Sequence, residues 1–220
     1  MLRTLTRCAL AVAAVCLLTA FASAAVDVPV EEVLNVNYFT NAHSYGKDGK
    51  VRILNPGTWE AGTGLLPRPG NLCALIYVFD QNQQLLECCG CFLTPNGVRE
   101  LSIDNDLTDN SLTGGNIYDG GIKIVSHPPN GGGLPKFYGL GEDPRCNPAS
   151  IANPKPTLRA WITHPSQNTS WGDELTEVDF AKATLSPSEV RRLQGRCRFI
   201  ITNASGHGIC SCGFGGEDDP

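Results

Sequence analysis

Eight cysteines follow the N-terminal segment of this 220-residue chain, and five of them stand in two tight groups. The first group is Glu87-Cys88-Cys89-Gly90-Cys91 and the second is Cys210-Ser211-Cys212. Cys73, Cys146 and Cys197 complete the set. Thiols in such a pattern have three chemistries open to them. An even count in an oxidising compartment reads as four disulfides, among too many connectivities for the sequence to choose. The alternative is a soft thiolate cluster, in which Cys89, Cys91, Cys210, Cys212 and His207 would take Cu(I) or Zn. The C-x-C spacing is tighter than the C-x2-4-C of most structural zinc sites. A redox-active dithiol is the third. Arg196 and Arg198 flank Cys197, but a cysteine late in a helix lacks the N-terminal dipole that lowers a thiol pKa.

Strand geometry narrows the disulfide reading. Successive side chains of an extended segment point to opposite faces, so Cys89 and Cys91 share one face and Cys88 takes the other. Residues two apart on a strand stand about 6–7 Å apart, which favours partners on another segment over a bond within the pair. The matching spacing of Cys210 and Cys212 predicts at least one bridge between the two groups. The rival is a local bond from Cys197 to Cys210 or Cys212.

The compartment is read from the N terminus. Arg3 and Arg7 precede an apolar run from Cys8 to Phe21, and Ala22-Ser23-Ala24 follows as an A-x-A cleavage site. This predicts a signal peptide over 1–24 and a mature chain starting at Ala25. The run is shorter than the ~20 residues that span a bilayer. Cys8 and Cys16 leave with it, and Val15 makes a poor lipobox. Without Arg3 and Arg7 the chain keeps 15 of its 17 basic residues against 22 acidic ones, a net charge of −7. That balance argues against nucleic acid or an anionic membrane as partner. Localisation is expected to be periplasmic, cell-surface or extracellular, with no transmembrane segment after processing.

The elements that must position the cysteines are mostly strands. Leu72–Phe79 is apolar on both alternating sets and reads as a strand covered on both faces. Asp80-Gln81-Asn82-Gln83 turns it into an antiparallel return over 84–92. A turn centred on Gln81-Asn82 sets Leu75 opposite Cys88 and Cys73 opposite Gly90, with Cys73 and Cys88 as diagonal neighbours that a bulge could bridge. Thr94-Pro95-Asn96-Gly97 turns again. Further strands are expected at 51–54, 98–103, 121–126, 158–163 and around Val178 and Phe180. Ser186-Pro187-Ser188-Glu189 is a capping box with proline at the first helical position. Val190, Leu193, Cys197 and Ile200 then recur at helical spacing, so Cys197 points inward. Two long Gly/Pro-rich loops, 56–70 and 127–156, are candidates for function. They carry Trp59 and Tyr138, the expected aromatic contacts, against the plainer reading that both rings pack into the domain.

The stretch from Asn71 to Asp80, the Glu87–Cys91 group and the closing Gly206-His207-Gly208-Ile209-Cys210-Ser211-Cys212 resemble a group of exported, cysteine-rich bacterial proteins without an assigned activity. The resemblance implies export and a shared fold, and brings no catalytic residue, ligand or cofactor.

Other chemistry is weak. Asp104-Asn105-Asp106 with Asp109 is rich in oxygen ligands but lacks the glycine and glutamate of an EF-hand loop. His43, His127, His164 and His207 lie in separate segments. No nucleophile elbow, H-E-x-x-H or phosphate loop is present. Asn168-Thr169-Ser170 and Asn203-Ala204-Ser205 match the glycosylation pattern. The expectation is one mainly β, β-sandwich-like domain over 25–212 with a C-terminal α-helix, disulfide-stapled, and a loose acidic tail over 213–220. The expected function is a non-catalytic surface, periplasmic or matrix protein, without a cofactor, that binds a ligand or a neighbouring chain through its long loops. The alternatives are a thiolate metal-binding or thiol-redox protein, and a hydrolase whose site the sequence does not show.

Overall fold

The computed structural model describes residues 30–40, 42, 48–61, 68–109, 117–129, 146–166, 174–203 and 209–212. Residues 1–24, expected to be a signal peptide, and His43, Tyr138, His207, the first glycosylation pattern and the acidic tail lie outside the described residues.

Strand β5 (Leu72–Asp80) organises the molecule because neither of its faces is polar. It pairs antiparallel with β6 (Leu85–Leu93) on one side and with β8 (Gly120–His127) on the other. β1 (Val30–Phe39) and β11 (Ala181–Leu185) extend this sheet to five strands in the order β11-β1-β8-β5-β6. A second, four-stranded antiparallel sheet has the order β10-β9-β2-β7, from β10 (Glu174–Asp179), β9 (Arg159–Ser166), β2 (Lys50–Leu54) and β7 (Val98–Ser102). A short ribbon, β3 (Glu60–Ala61) with β4 (Arg68–Pro69), occupies the first long loop.

The alternation of β5 divides the interior into two cores. Ala74, Ile76 and Val78 face the second sheet and pack with Ile122 and Ile124 against Val51, Ile53, Leu101, Ala160 and Ile162. Cys73, Leu75 and Tyr77 face the other way, against Val190, Leu193 and Cys197 of helix α1 (Pro187–Asn203) and against Ile151. The molecule is therefore three layers deep: four-stranded sheet, five-stranded sheet, helix. Ser186 caps the helix, its Oγ accepting the Glu189 N–H at 3.2 Å, as the capping box requires.

The chain passes between the sheets six times, and two of these crossings are short. At one, Thr94–Gly97 turns the chain from β6 into β7, and the Gly97 N–H donates to the Thr94 carbonyl at 2.8 Å. The buried Asn55 ties this end together, its Nδ2 donating to the carbonyls of Gly70 and Leu93 at 3.0 and 3.2 Å. At the other, buried Phe180 carries the chain from β10 to β11, its N–H bonded to Ala160 O.

The expected hairpin register is wrong by two residues. Tyr77, not Leu75, stands opposite Cys88, and Phe92, not Gly90, stands opposite Cys73. The turn spans Asp80 to Gln84, with Gln83 at φ 64°, and an irregularity between Val78 and Phe79 adds the second step. A shift of two keeps every side chain on its face, so the assignment of faces survives. The diagonal Cys73–Cys88 bond does not, because the two bond elsewhere. The second long loop is also not structureless throughout: residues 146–158 pack over the helix side of the five-stranded sheet. Lys155 N–H donates to Ser126 O, and Tyr77 Oη donates to Pro148 O at 2.6 Å.

Candidate functional site

The eight cysteines form four bridges: Cys73–Cys146, Cys88–Cys197, Cys89–Cys210 and Cys91–Cys212, with Cα–Cα distances of 5.2 to 5.9 Å. Strand alternation distributes them. Cys88 points to the helix layer and meets Cys197, while Cys89 and Cys91 point into the inter-sheet core and meet Cys210 and Cys212. The two sequence groups are thus joined twice, and the local alternative for Cys197 is not realised. Gly90 lies between them on the helix side, where the carbonyl of Cys146 crosses the strand. A Cβ at position 90 would overlap that carbonyl oxygen, so the glycine in C-C-G-C leaves room for the Cys73–Cys146 crossing.

The proposed thiolate set meets in space. The Sγ atoms of Cys89, Cys91 and Cys212 all lie within 4.8 Å of one another. They are engaged as bridges here, and all eight cysteines are buried. His207, the fifth ligand of that alternative, is outside the described residues. Bridged sulfurs carry no thiolate to bind a cation or attack a substrate.

His127 and the carboxylates of the acidic loop are tied into the fold, whereas His164 Nε2 is buried without a hydrogen-bond partner among the described residues. His127 is buried, and its Nε2 accepts the N–H groups of Ala152 and Asn153 at 3.1 and 3.3 Å. Burial holds its pKa below the ordinary value, with Lys155 adding to that and a hydrogen bond to the Pro128 backbone opposing it. A neutral imidazole that accepts two N–H bonds is a clamp on the 146–158 segment. His164 stacks on Tyr38 with ring centroids 4.6 Å apart, and burial lowers its pKa too. The acidic loop folds as a π-helical turn over Ile103–Leu107. Asp106 accepts the Ser102 N–H at 2.7 Å and Asp48 accepts the Asp104 N–H at 3.0 Å, so these carboxylates cap the turn. Glu87 is the group that the sequence did not single out. It is buried on β6 beside the bridges, and desolvation, with the Asp109 charge second, pushes its carboxyl up to about 8.

Trp59 is half-buried, and its ring lies where a side chain at Gly70 would stand, while its carbonyl accepts the Gly70 N–H at 2.7 Å. One side of the ring is therefore packed against the Gly70 backbone. Tyr138 lies outside the described residues. The outer face of the four-stranded sheet is a second candidate surface. Pairing registers put Asp179, Trp161, Arg52 and Glu100 in one row across all four strands. Arg52 joins strands by ion pairs of 2.8 Å to both Glu100 and Glu177. Val98 and Leu175 on the same face are 60% and 61% exposed. The signal for this face was present in the alternation of Arg159 and Trp161 with Ala160 and Ile162, although Thr163, next on that side, is buried and accepts the Lys50 N–H. That signal needed the identity of the covered side, which only the sheet pairing supplies.

No family model, no curated protein and no solved structure matches this chain.

Proposed function

We propose that the protein is an exported, non-catalytic binding protein that meets its ligand or a neighbouring chain through the outer face of the four-stranded sheet. The observation that carries this reading is the unequal covering of the two sheets. The five-stranded sheet is closed on one side by its partner sheet and on the other by α1 and residues 146–158. The four-stranded sheet has no described element on its outer side, and it presents there a tryptophan in line with a carboxylate–guanidinium–carboxylate row. Trp161 supplies a rigid contact at low entropic cost, and Arg52, already held by two carboxylates, has its geometry fixed before a partner arrives. Export is supported by the four bridges, which belong to oxidising compartments. Among the described residues no helix is long and apolar enough to cross a membrane.

Oxidative footprinting tests the reading. The purified protein and the protein in its native envelope are labelled in parallel, and the expected result is protection of Trp161 and Leu175 in the envelope alone. Equal labelling of both residues in the two settings would remove the sheet face as a contact surface. A purified N terminus other than Ala25 would remove export by the predicted signal.

A further inference from the structure

The opposite side of the molecule carries a charge pattern that the overall acidity hides. Helix α1 has four arginines, Arg191, Arg192, Arg196 and Arg198, and one carboxylate, Glu189. Its inward stripe is Val190, Leu193 and Cys197, and all four arginines are exposed. Burial alone would raise the Glu189 carboxyl, but Lys123 and Arg192 outweigh it and hold it low. Their ion pairs with Glu189 measure 2.5 and 3.0 Å. Arg196 donates to Gln83 O at 3.0 Å. Arg191 and Arg198 make no ion pair among the described residues. They stand seven residues, about 10 Å, apart on one stripe of the helix. Between the basic flanks lies Phe199, 67% exposed, beside Gly195, where an added Cβ would touch nothing. A mainly apolar groove of about 350 Å³ runs under them, lined by Gln84, Leu85, Gly195, Arg196, Phe199 and Ile200.

We infer that the outward face of α1 is a membrane-surface contact that takes anionic phospholipid, with guanidinium groups on lipid phosphates and Phe199 at the acyl boundary. A helix lying flat on the outermost layer presents its basic flanks to a plane at the same time, which many separate headgroups can match. An isolated exposed phenylalanine between guanidiniums, with an apolar groove beside it, suits a surface that is anionic outside and hydrocarbon beneath. The net negative charge does not oppose this at close range. Glu100, Glu177 and Asp179 lie on the far sheet, behind a helix and a sheet spacing of about 10 Å each. That is more than two Debye lengths of about 8 Å at physiological salt. Asp80 beside Arg192 and the ion-paired Glu189 are the carboxylates near the helix, against four arginines and Lys123. The basic face therefore governs approach from its own side, and the acidic face points away from the membrane.

The test is flotation of the intact, oxidised protein with vesicles of phosphatidylcholine alone and of phosphatidylcholine with 30% phosphatidylglycerol. Binding is expected only to the anionic vesicles, and it should weaken with salt. Each arginine near the surface is worth about fivefold in partitioning, so Arg191→Gln with Arg198→Gln should lose about 25-fold. Arg159→Gln, on the far sheet, should lose nothing. Phe199→Trp should be quenched by brominated acyl chains. All these positions are exposed, so matched thermal melts will show that folding is intact. No flotation overturns the inference, as does equal binding to neutral vesicles or undiminished binding of the double variant. Retention on a soluble polyanion such as heparin without flotation also overturns it, and would assign the face to an acidic macromolecule instead.

Discussion

At residue scale, two positions on β6 set the local chemistry. Gly90 has no room for a side chain because the Cys146 carbonyl crosses it. Gly90→Ala should cost about 3 kcal/mol or more in a denaturant titration, since the obstacle is backbone pinned by a bridge and cannot swing aside. Glu87 gives a pH signature. Its folded carboxyl titrates near 8, above the unfolded value of about 4.5, so between those values the native state holds a proton that the unfolded state has released. The stability this group contributes is complete below about pH 4.5 and is lost as pH rises through 8. Glu87→Gln should therefore match the parent in acid and become the more stable of the two as pH approaches 8. His127 acts with the opposite sign: its depressed pKa costs stability as pH falls below 6.5, so the comparison is read as the difference between variant and parent. A difference that stays constant from pH 4 to 9 would mean that Glu87 is not buried as described.

At the scale of elements, the helix gives three expected outcomes of different sign. Ser186→Ala removes the cap bond and should cost about 0.5–2 kcal/mol. Leu193→Ala opens a cavity between helix and sheet and should cost about 2–5 kcal/mol. Gly195→Ala, on the open face, should stabilise by about 1 kcal/mol, because glycine is a poor helix former and nothing there needs it. Equal small effects from the first two would mean the helix is not packed. The helix was readable in the sequence because cap, proline and apolar stripe agreed over four turns. The alternation that sorts Cys88 from Cys89 and Cys91 was readable for the same reason, since period two survives any even change of register. β1 was missed: its VEEVLNVNYF run mixes charges, asparagines and apolar residues, and only its place between β8 and β11 explains that pattern. The hairpin register escaped because bulges and turn length carry no clear sequence mark. The open sheet face escaped because alternation gives two faces without saying which one the rest of the chain will cover.

At the scale of the molecule, the bridges are not equivalent. Cys73–Cys146 closes 73 residues on its own and is worth about 4 kcal/mol in the chain-entropy model, whose mechanism is disputed. Cys91–Cys212 stands two residues from Cys89–Cys210 on both segments, so once the latter exists it closes only a small ring, worth about 2 kcal/mol. Replacing both members of each pair by serine should show this order in urea midpoints at equal m-values. A larger loss from the Cys91–Cys212 pair would point to packing of the terminal segment in the inter-sheet core as its main contribution.

The connectivity also has a direction in time. Cys73, Cys88, Cys89 and Cys91 all precede Cys146, Cys197, Cys210 and Cys212, and every bridge joins a member of the first four to a member of the second. A chain that emerges N terminus first, and loses Cys8 and Cys16 with the expected signal peptide, thus shows four thiols that have only one another as partners until residue 146 appears. Every bond an oxidant makes in that interval is a wrong one. Three of the four correct bonds must wait until Cys197 or a later cysteine has appeared. Maturation is therefore a matter of delay or of repair, and a thiol–disulfide isomerase should speed it more than a stronger oxidant does.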